Sequence, residues 1–283
     1  MAPLVRSWLY VPGHRPDVAA KAVTGEADAV VIDLEDAVPA DRKAEARVGA
    51  FQTLAEGPAK PVWVRVNPMS SDLTADDVRA VAHPALSGVR LAKTESTDEV
   101  TELAELLSRA GCEPAVQCLI ESALGLERAF DLASHPAVVG IGLGEADLAA
   151  DLGASDDLGL LYARSRCVAA ARAAGLAPPP QSVWTDVGDL DGLRESTRRG
   201  RSLGFFGRSA VHPRQVPVIH DAMRPSAGEV AHARALVEAL RHAEERGERA
   251  VVLPDGRFAD PAVVERARRI LALAECHPER VGP

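Results

Sequence analysis

The sequence predicts an α/β fold, and within that class a (β/α)8 TIM barrel followed by a C-terminal extension of helices and a hairpin. Three observations support this: eight short apolar segments, helix-like segments between them, and polar residues where the apolar segments end. The apolar segments do not alternate with polar residues, which is typical of parallel strands covered by helices on both faces. They span residues 7–12, 29–35, 61–67, 88–94, 115–121, 138–144, 181–184 and 204–212.

An open doubly wound sheet is the alternative architecture. Such a sheet has a glycine-rich turn after its first strand, whereas the first apolar segment here continues into VPGHRPD (11–17). Gly140, Gly142 and Gly144 are spaced as GxGxG, but they lie inside a predicted strand and are therefore a weak signal for nucleotide binding.

Helices are predicted between the strands and again after the last one. The segment 159–175 ends at Gly175, a residue type that commonly follows a helix. We place a barrel domain at residues 1–224 and an extension at 225–283. The extension reads as one amphipathic helix, a hairpin with Asp255–Gly256 at its turn, and a final helix that begins at Pro261. We expect it to form a lid or an oligomerisation arm.

Composition narrows the class of protein. The chain has 283 residues, of which 47% are hydrophobic and only 4% aromatic, so aliphatic side chains must fill its core. The net charge of −9 argues against a basic groove for nucleic acid. The four cysteines include no CxxC pair, which favours reduced thiols over a disulfide frame or a zinc site. No apolar segment approaches the ~18 residues of a membrane span, and we expect a cytoplasmic protein.

Polar residues follow almost every predicted strand. In a barrel the carboxyl ends of all strands meet at one rim, where barrel enzymes carry their active sites. The candidates at this rim, in chain order, are Tyr10, Arg15, Lys21, Asp33, Glu35, Asp36, Arg65, Asn67, Lys93, Glu121, Glu145, Asp147 and His212.

Two of these carboxylates suggest a metal site. Glu121 and Asp147 can supply two oxygen ligands from adjacent strands, and few carboxylates with waters and substrate are what Mg²⁺ prefers. Arg65 offers a planar fork for a carboxylate or an enolate oxygen. Each also has a structural interpretation: Glu121 as a helix cap, Asp147 as a helix-start carboxylate, and Arg65 as an ion-pair partner.

Lys93 and His212 have two interpretations each. A lysine at a strand end can form a Schiff base when burial lowers its pKa. More often such a lysine neutralises nearby carboxylates, and this rim has many. For His212, in the sequence VHP, a structural role is favoured over catalysis.

The chain resembles the citrate lyase β-subunit-like group of the HpcH/HpaI aldolase/citrate lyase superfamily. The matching segments cover nearly the whole chain in order: RSWLYVPGHRPD, AVVIDLEDAVPADRKAEAR, VRVNP, IESALGL, EADLAADLG, GFFGRSAVHPRQV and DGRFADPAVVERARRIL. The resemblance implies a (β/α)8 barrel, a homotrimer, Mg²⁺ as cofactor, and cleavage or formation of a C–C bond between a CoA thioester and a 2-oxo acid.

The resemblance also implies roles for individual residues. Glu121 and Asp147 are the implied metal ligands, with Glu121 also facing the substrate, and Arg65 is the implied substrate-binding arginine. The implied contacts to CoA are Tyr10, Arg15 and Lys21. Asp36 is implied to face the metal's water shell. Asp260 is implied to reach the neighbouring subunit's site from a lid and to move a proton, although its position just before Pro261 also suits a helix cap.

Two positions depart from the family pattern. Ala146-Asp147 stands where many relatives have Glu-Asp, with an acid instead at Glu145, and Arg208 replaces a common lysine, which could alter how an acyl or phosphate group is held. The expected activity is that of an acyl-CoA lyase acting on malyl-CoA or citramalyl-CoA to give acetyl-CoA with glyoxylate or pyruvate. The alternatives are a malyl-CoA-type thioesterase, a β subunit of a citrate lyase complex acting on an acyl-carrier partner, and, as a minor one, a Schiff-base aldolase using Lys93.

Overall fold

The computed structural model of the chain describes residues 5–245, 247, 250–252 and 258–276. Residues up to His220 form one compact unit, and residues from Asp221 onward belong to a second.

A single parallel sheet is the centre of the first unit. It contains seven strands in the spatial order β6-β5-β4-β3-β2-β1-β7, and every neighbouring pair is parallel. Their bounds are β1 Ser7–Pro12, β2 Ala29–Asp33, β3 Val62–Val66, β4 Leu86–Leu91, β5 Ala115–Ile120, β6 Val138–Leu143 and β7 Arg208–Ala210. The predicted α/β class and the parallel strand order are thereby confirmed.

Helices follow the strands, as the alternation of the sequence predicts. Their bounds are α1 Pro16–Thr24, α2 Lys43–Ala55, α3 Thr74–Val81, α4 Thr97–Arg109, α5 Ala123–Glu127, α6 Ala129–Ser134, α7 Glu145–Leu152, α8 Leu161–Ala173, α9 Leu190–Leu203 and α10 Gln215–Met223. Local signals explain the ends of several of them. Ser96 and Glu99 form a capping box at the start of α4, and Gly204 follows α9 with a φ of 105°.

The predicted strand over residues 181–184 is not formed as such. Only Gln181 pairs, through an isolated parallel bridge to Arg208 of β7. The three prolines at 178–180 have no N–H to donate, so the chain just before Gln181 cannot extend a ladder to β6. Within the described residues the ladder therefore joins seven strands, and its closure into an eight-stranded barrel is not established.

Aliphatic side chains dominate the core, as the composition requires. The strands contribute fully buried valine, isoleucine and leucine residues such as Val31, Ile32 and Leu91. Two of the three tryptophans, Trp8 and Trp63, pack edge to face with ring centroids 5.4 Å apart. Gly88 allows this packing, because a Cβ there would lie 2.3 Å from the Trp63 ring.

In its described residues, the second unit contains two whole helices and two short strands. Helix α11 spans Ala227–Glu245 and α12 spans Pro261–Cys276, while β8 (Val251–Val252) pairs antiparallel with β9 (Phe258–Ala259). The two predicted helices and the paired arms of the predicted hairpin are thus found, whereas its turn at Asp255–Gly256 lies outside the described residues. None of the helices in the described part of the chain is both long and apolar enough to span a membrane.

Candidate active site

A cavity of about 280 Å³ opens at the carboxyl ends of the strands. It lies at the rim of the sheet where the barrel prediction places the active site. Each of the seven strands contributes one lining residue or more: Tyr10, Asp33, Arg65, Arg90, Leu119, Gly142 and Ser209 are examples. The sheet therefore curves around this space. The cavity is also lined by Asp36, Glu121 and Asp147, so that most of the predicted site residues meet here.

Arg65 is held in one orientation by two carboxylates. Its Nε and Nη2 donate to the two oxygens of Asp33 at 2.7 and 2.6 Å, and its Nη1 lies 2.9 Å from Glu35 Oε2. Burial alone would lower the pKa of Arg65, but the Asp33 and Glu35 charges hold it above its ordinary value. The cavity thus contains a permanent, preorganised cation.

The three carboxylates of DLED (33–36) are stabilised by the chain that follows them. Asp33 accepts backbone hydrogen bonds from Glu35 at 2.9 Å and from Ala37 at 3.1 Å. Lys43, in the first turn of α2, donates from Nζ to the carbonyl oxygens of Leu34 and Glu35. The loop between β2 and α2 therefore turns back around Asp33, and the carboxylate serves the loop as well as Arg65.

Lys93 neutralises this cluster. Its Nζ contacts Glu35 Oε1 and lies 3.4 Å from Asp36 Oδ1. Burial alone would lower the pKa of Lys93, but Glu35 and Asp36 outweigh burial and raise it. Its φ of 49° shows that the backbone accepts a left-handed conformation to place this side chain. A charged, paired amine favours the neutralising interpretation over the Schiff-base one, which needs a free amine.

Glu121 is one of two charged residues lining the cavity that have unpartnered buried atoms in the described part of the chain; Arg90 is the other. Glu121 is 5% exposed, and its Oε2 is buried with no hydrogen-bond partner among the described residues. Burial raises the pKa of Glu121 to about 7, against the lowering influence of Arg65. A cap role is excluded by geometry, because the hydroxyl of Ser122 caps α5 by accepting from the Gly125 N–H at 3.1 Å.

The space beside Glu121 is created by a glycine. A Cβ at Gly144 would lie 2.4 Å from Glu121 Oε1, so that only glycine leaves the carboxylate where it is. Asp147 follows on the exposed side of the first turn of α7. The charge of Asp147 also contributes to the raised pKa of Glu121, so the two carboxylates interact. Within the described residues no group of three or more His, Cys, Asp or Glu side chains is arranged to hold a metal ion.

Tyr10 lies in the cavity, but the two residues predicted to act with it do not. The Tyr10 hydroxyl accepts from Arg90 Nη1 at 2.9 Å. Arg15, just before α1, is exposed and paired with Asp17 at 2.8 Å, and Lys21 is exposed on α1. The structure therefore places Tyr10 inside the rim and the two cations on the surface beside it.

The remaining predicted residues have structural contacts. Asp260 Oδ1 accepts from the Val263 N–H at 3.0 Å, which is the cap expected just before α12. Arg208 faces α9, where Nη1 donates to Ser196 Oγ at 3.0 Å and Thr197 Oγ1 at 3.1 Å. This arginine is not among the residues lining the large cavity, because side chains alternate along β7 and its neighbour Ser209 points inward.

One functional candidate, Arg90, lies outside the predicted set, and Glu145 of that set has a structural partner. Arg90 is a buried cation that lines the cavity. Glu145 forms an ion pair with Arg164, which donates from Nε to Glu145 Oε1 at 3.0 Å and from Nη2 to Glu145 Oε2 at 2.6 Å. The signal that could have found Arg90 is its register, since Arg65 on β3 pairs directly with Arg90 on β4.

Comparison with known proteins agrees with this geometry. Residues 6–213 match the model of the HpcH/HpaI aldolase/citrate lyase family. A citrate lyase subunit beta-like protein of Deinococcus radiodurans is 36% identical over 95% of this chain and 97% of its own. A (3S)-malyl-CoA thioesterase of Cereibacter sphaeroides is 34% identical over 95% and 94%. The crystal structure of CitE from Mycobacterium tuberculosis with magnesium, acetoacetate and coenzyme A superposes with a TM-score of 0.83 at 33% identity, covering 97% of this chain and 100% of that one.

Proposed function

Because the chain belongs to the HpcH/HpaI aldolase/citrate lyase family, we propose that it is a Mg²⁺-dependent lyase for β-hydroxyacyl-CoA thioesters. The proposed reaction cleaves, or in reverse forms, the C–C bond of malyl-CoA or citramalyl-CoA to give acetyl-CoA with glyoxylate or pyruvate. The observation that carries the proposal is Glu121: a buried carboxylate with an unpartnered oxygen, facing the same cavity as a preorganised arginine.

The residues present fit a magnesium ion. The donors are oxygens only, and Gly144 leaves open the space beside the unpartnered Glu121 carboxylate. Glu121 and Asp147 would hold the ion, with waters and substrate oxygens completing the shell. A bound Mg²⁺ supplies Lewis-acid polarisation of the substrate's hydroxyl and carboxylate oxygens. The structural neighbour crystallised with magnesium, acetoacetate and coenzyme A supports the same ion here.

Arg65 would neutralise the negative oxygen that develops as the C–C bond breaks. Asp33 occupies its Nε and Nη2, so the remaining Nη1, which now contacts Glu35, is the donor an enolate oxygen would take. The rigid pairing with Asp33 means that no reorganisation of Arg65 is needed when this charge appears.

Proton transfer is assigned to two aspartates. Asp36 is 56% exposed at the mouth of the cavity, within 3.4 Å of the Lys93 ammonium, and would take the hydroxyl proton. Asp260 would act from a lid on the neighbouring subunit of a homotrimer, and Tyr10, Arg15 and Lys21 would contact the CoA thioester. A closed eight-stranded barrel and a 225–283 lid domain belong to the same proposal. We keep the cytoplasm as the expected compartment.

A thioesterase is the second candidate function, because a relative with that name is 34% identical over most of both chains. The same cavity would then admit water to the thioester carbonyl and release free CoA. A β subunit of a citrate lyase complex is the third, since the relative from Deinococcus radiodurans is named citrate lyase subunit beta-like.

The experiment that separates these functions measures two products at once. Purified full-length protein receives malyl-CoA or citramalyl-CoA, with Mg²⁺ or with excess chelator, and 2-oxo acid and free CoA are followed in parallel. Metal-dependent glyoxylate or pyruvate supports the lyase. Free CoA without 2-oxo acid supports the thioesterase. If neither 2-oxo acid nor free CoA is released, both the lyase and the thioesterase are contradicted. The β-subunit function would then be tested by native co-purification of an acyl-carrier partner.

A matched pair of glycine variants tests the metal site. In Gly144→Ala the new methyl would lie 2.4 Å from Glu121 Oε1, whereas in Gly142→Ala the nearest atom, Leu119 Cδ2, is 3.5 Å away. We expect Gly144→Ala to weaken Mg²⁺ binding by about 10- to 100-fold in calorimetry, the usual effect of disturbing a ligand's support. Gly142→Ala should leave affinity within about twofold. Equal affinities for the two variants would contradict the assignment of Glu121.

A further inference from the structure

Arg90 is a buried cation with no carboxylate partner. It is 1% exposed, and among the described residues no Asp or Glu forms an ion pair with it. Its Nη1 donates to the Tyr10 hydroxyl at 2.9 Å and lies 3.4 Å from Ser209 Oγ, while its guanidinium carbon lies 4.4 Å from the Trp8 ring centroid. Its Nε and Nη2 are buried and unpartnered. Burying such a charge is costly, which suggests that it serves the cavity it lines.

The direction of the Arg90–Tyr10 hydrogen bond determines what Tyr10 can do. A guanidinium can only donate, so the phenolic oxygen is the acceptor and the Tyr10 proton must point elsewhere. In the described part of the chain no group accepts that proton. Tyr10 lines the large cavity, so its O–H is a donor available to a ligand there.

Two cations flank the Tyr10 ring. The guanidinium carbons of Arg65 and Arg90 each lie 5.4 Å from its centroid. Both positive charges favour a hydrogen bond from the Tyr10 hydroxyl to an anionic acceptor. Such a hydrogen bond is stronger in a site from which water is excluded than in water. Asp33 and Glu35 compensate the charge of Arg65, so the uncompensated positive charge beside the Tyr10 ring is that of Arg90.

We propose that Tyr10 donates a hydrogen bond to a carboxylate oxygen of the bound 2-oxo acid, and that Arg90 is the positioning residue that orients its hydroxyl. The inference rests on the proposed function and adds a donor from β1 to Arg65 from β3. It also gives Tyr10 a different role from that of the exposed Arg15 and Lys21, which belong to the same sequence segment.

The test uses oxalate, a stable planar dianion that resembles glyoxylate, with a second carboxylate in place of the aldehyde group. Its affinity for the Mg²⁺-loaded full-length protein is measured by calorimetry. Tyr10→Phe keeps the ring between the two arginines and removes only the hydroxyl. Loss of one hydrogen bond to a charged group predicts about 10- to 100-fold weaker oxalate binding, with Mg²⁺ affinity unchanged. Tyr162→Phe, at the only other tyrosine, is the matched control; that side chain is 60% exposed and its variant should bind normally.

A double-mutant cycle tests the positioning role of Arg90. Arg90→Met preserves an unbranched side chain of similar length and should weaken oxalate binding by about 3- to 30-fold, a part of the Tyr10→Phe effect. In the Tyr10→Phe background the same change should have almost no further effect, because Arg90 acts through the missing hydroxyl. Thermal melting of each variant establishes that it is folded; should Arg90→Met not fold, Arg90→Lys takes its place.

Three results would overturn the proposal: normal oxalate affinity in folded Tyr10→Phe, additive losses in the double variant, or no oxalate binding by the parent protein. Failure of the Tyr10 proposal and failure of the proposed lyase activity give different experimental results. A parent protein that binds oxalate but releases no 2-oxo acid from either thioester refutes the lyase, while the Tyr10 comparison is still decided by binding.

Discussion

Replacing Asp33 by asparagine is the sharpest test of how the site is held together. The Asp33 side chain is 1% exposed and its two oxygens accept from Arg65 at 2.7 and 2.6 Å, in addition to two backbone N–H groups. Asparagine has nearly the same size but only one acceptor oxygen. Its NH₂ group would face a donor, either a guanidinium nitrogen or a backbone N–H, whichever way the amide is turned.

The expected loss of stability follows from burial. The Arg65 side chain is 13% exposed, so Asp33→Asn leaves a largely buried cation that retains Glu35 at 2.9 Å and exposed Asp36 at 3.8 Å. Removing one partner of a buried ion pair costs about 3–5 kcal/mol, and we expect about 3 kcal/mol because Glu35 remains. A loss of that size is a large share of the ~5–15 kcal/mol that stabilises a typical protein.

Urea denaturation compares Asp33→Asn with Asp36→Asn, which makes the same chemical change three residues later. The Asp36 side chain is 56% exposed and lies 3.8 Å from Arg65 Nη1, so its replacement should cost less than about 1 kcal/mol. Asp33→Asn should also lower lyase activity while Mg²⁺ binding persists, because Arg65 loses its fixed orientation. Equal losses of stability in the two variants would refute this account of the site.

Two further predictions concern groups outside the cavity. Burial alone would raise the pKa of Asp28, but hydrogen bonds from the side chain and backbone of Arg6 hold it below its ordinary value. The ionised Asp28 carboxylate therefore stabilises the folded protein fully above the ordinary carboxyl pKa of about 4, and this stabilisation is lost as the pH falls through the lowered pKa of Asp28. Asp28→Asn should reduce the free energy of unfolding by about 1–3 kcal/mol at pH 7. The reduction should become progressively smaller in denaturation experiments at lower pH. Burial raises the pKa of Cys118 and Cys167 to about 12, so a thiol reagent with mass mapping should label half-buried Cys112 before either of these two; rapid labelling of either buried thiol in native protein would contradict this.

The strands were predictable because each is a short, mostly apolar segment with a polar residue at or near its end. The segment QSVW at 181–184 has only two apolar residues, and it makes one bridge at Gln181. This segment does not form a strand because the prolines just before it have no N–H to donate, and the hydrophobic pattern alone does not show their effect. The strands over 29–35 and 204–212 also prove shorter than predicted, since Leu34 and Glu35 already belong to the loop around Asp33.

The site residues were predictable where chemistry and position coincided. Arg65, Glu121 and Asp147 stand at strand ends and do line one cavity. Arg90 was missed because it lies inside a strand, three residues before Lys93, and only the polar residues at the ends of the apolar segments were considered for the site. Tyr10 was assigned with its sequence neighbours, although alternation along a strand turns it to the inner face and leaves the following loop outside.

An ion-pair network was the plain structural alternative for these charges, and it explains only some of them. The cavity is lined by five carboxylates and two guanidinium groups, namely Asp33, Asp36, Glu121, Glu145, Asp147, Arg65 and Arg90. Asp33 and Arg65 neutralise each other. Glu121 and Asp147 form no ion pair among the described residues, and neither does Arg90. A neutral ligand would leave both the carboxylate pair and the arginine uncompensated. A ligand that compensates both must bring a cation to one side and an anion to the other, so binding of an anionic 2-oxo acid should require a divalent cation and fail with chelator.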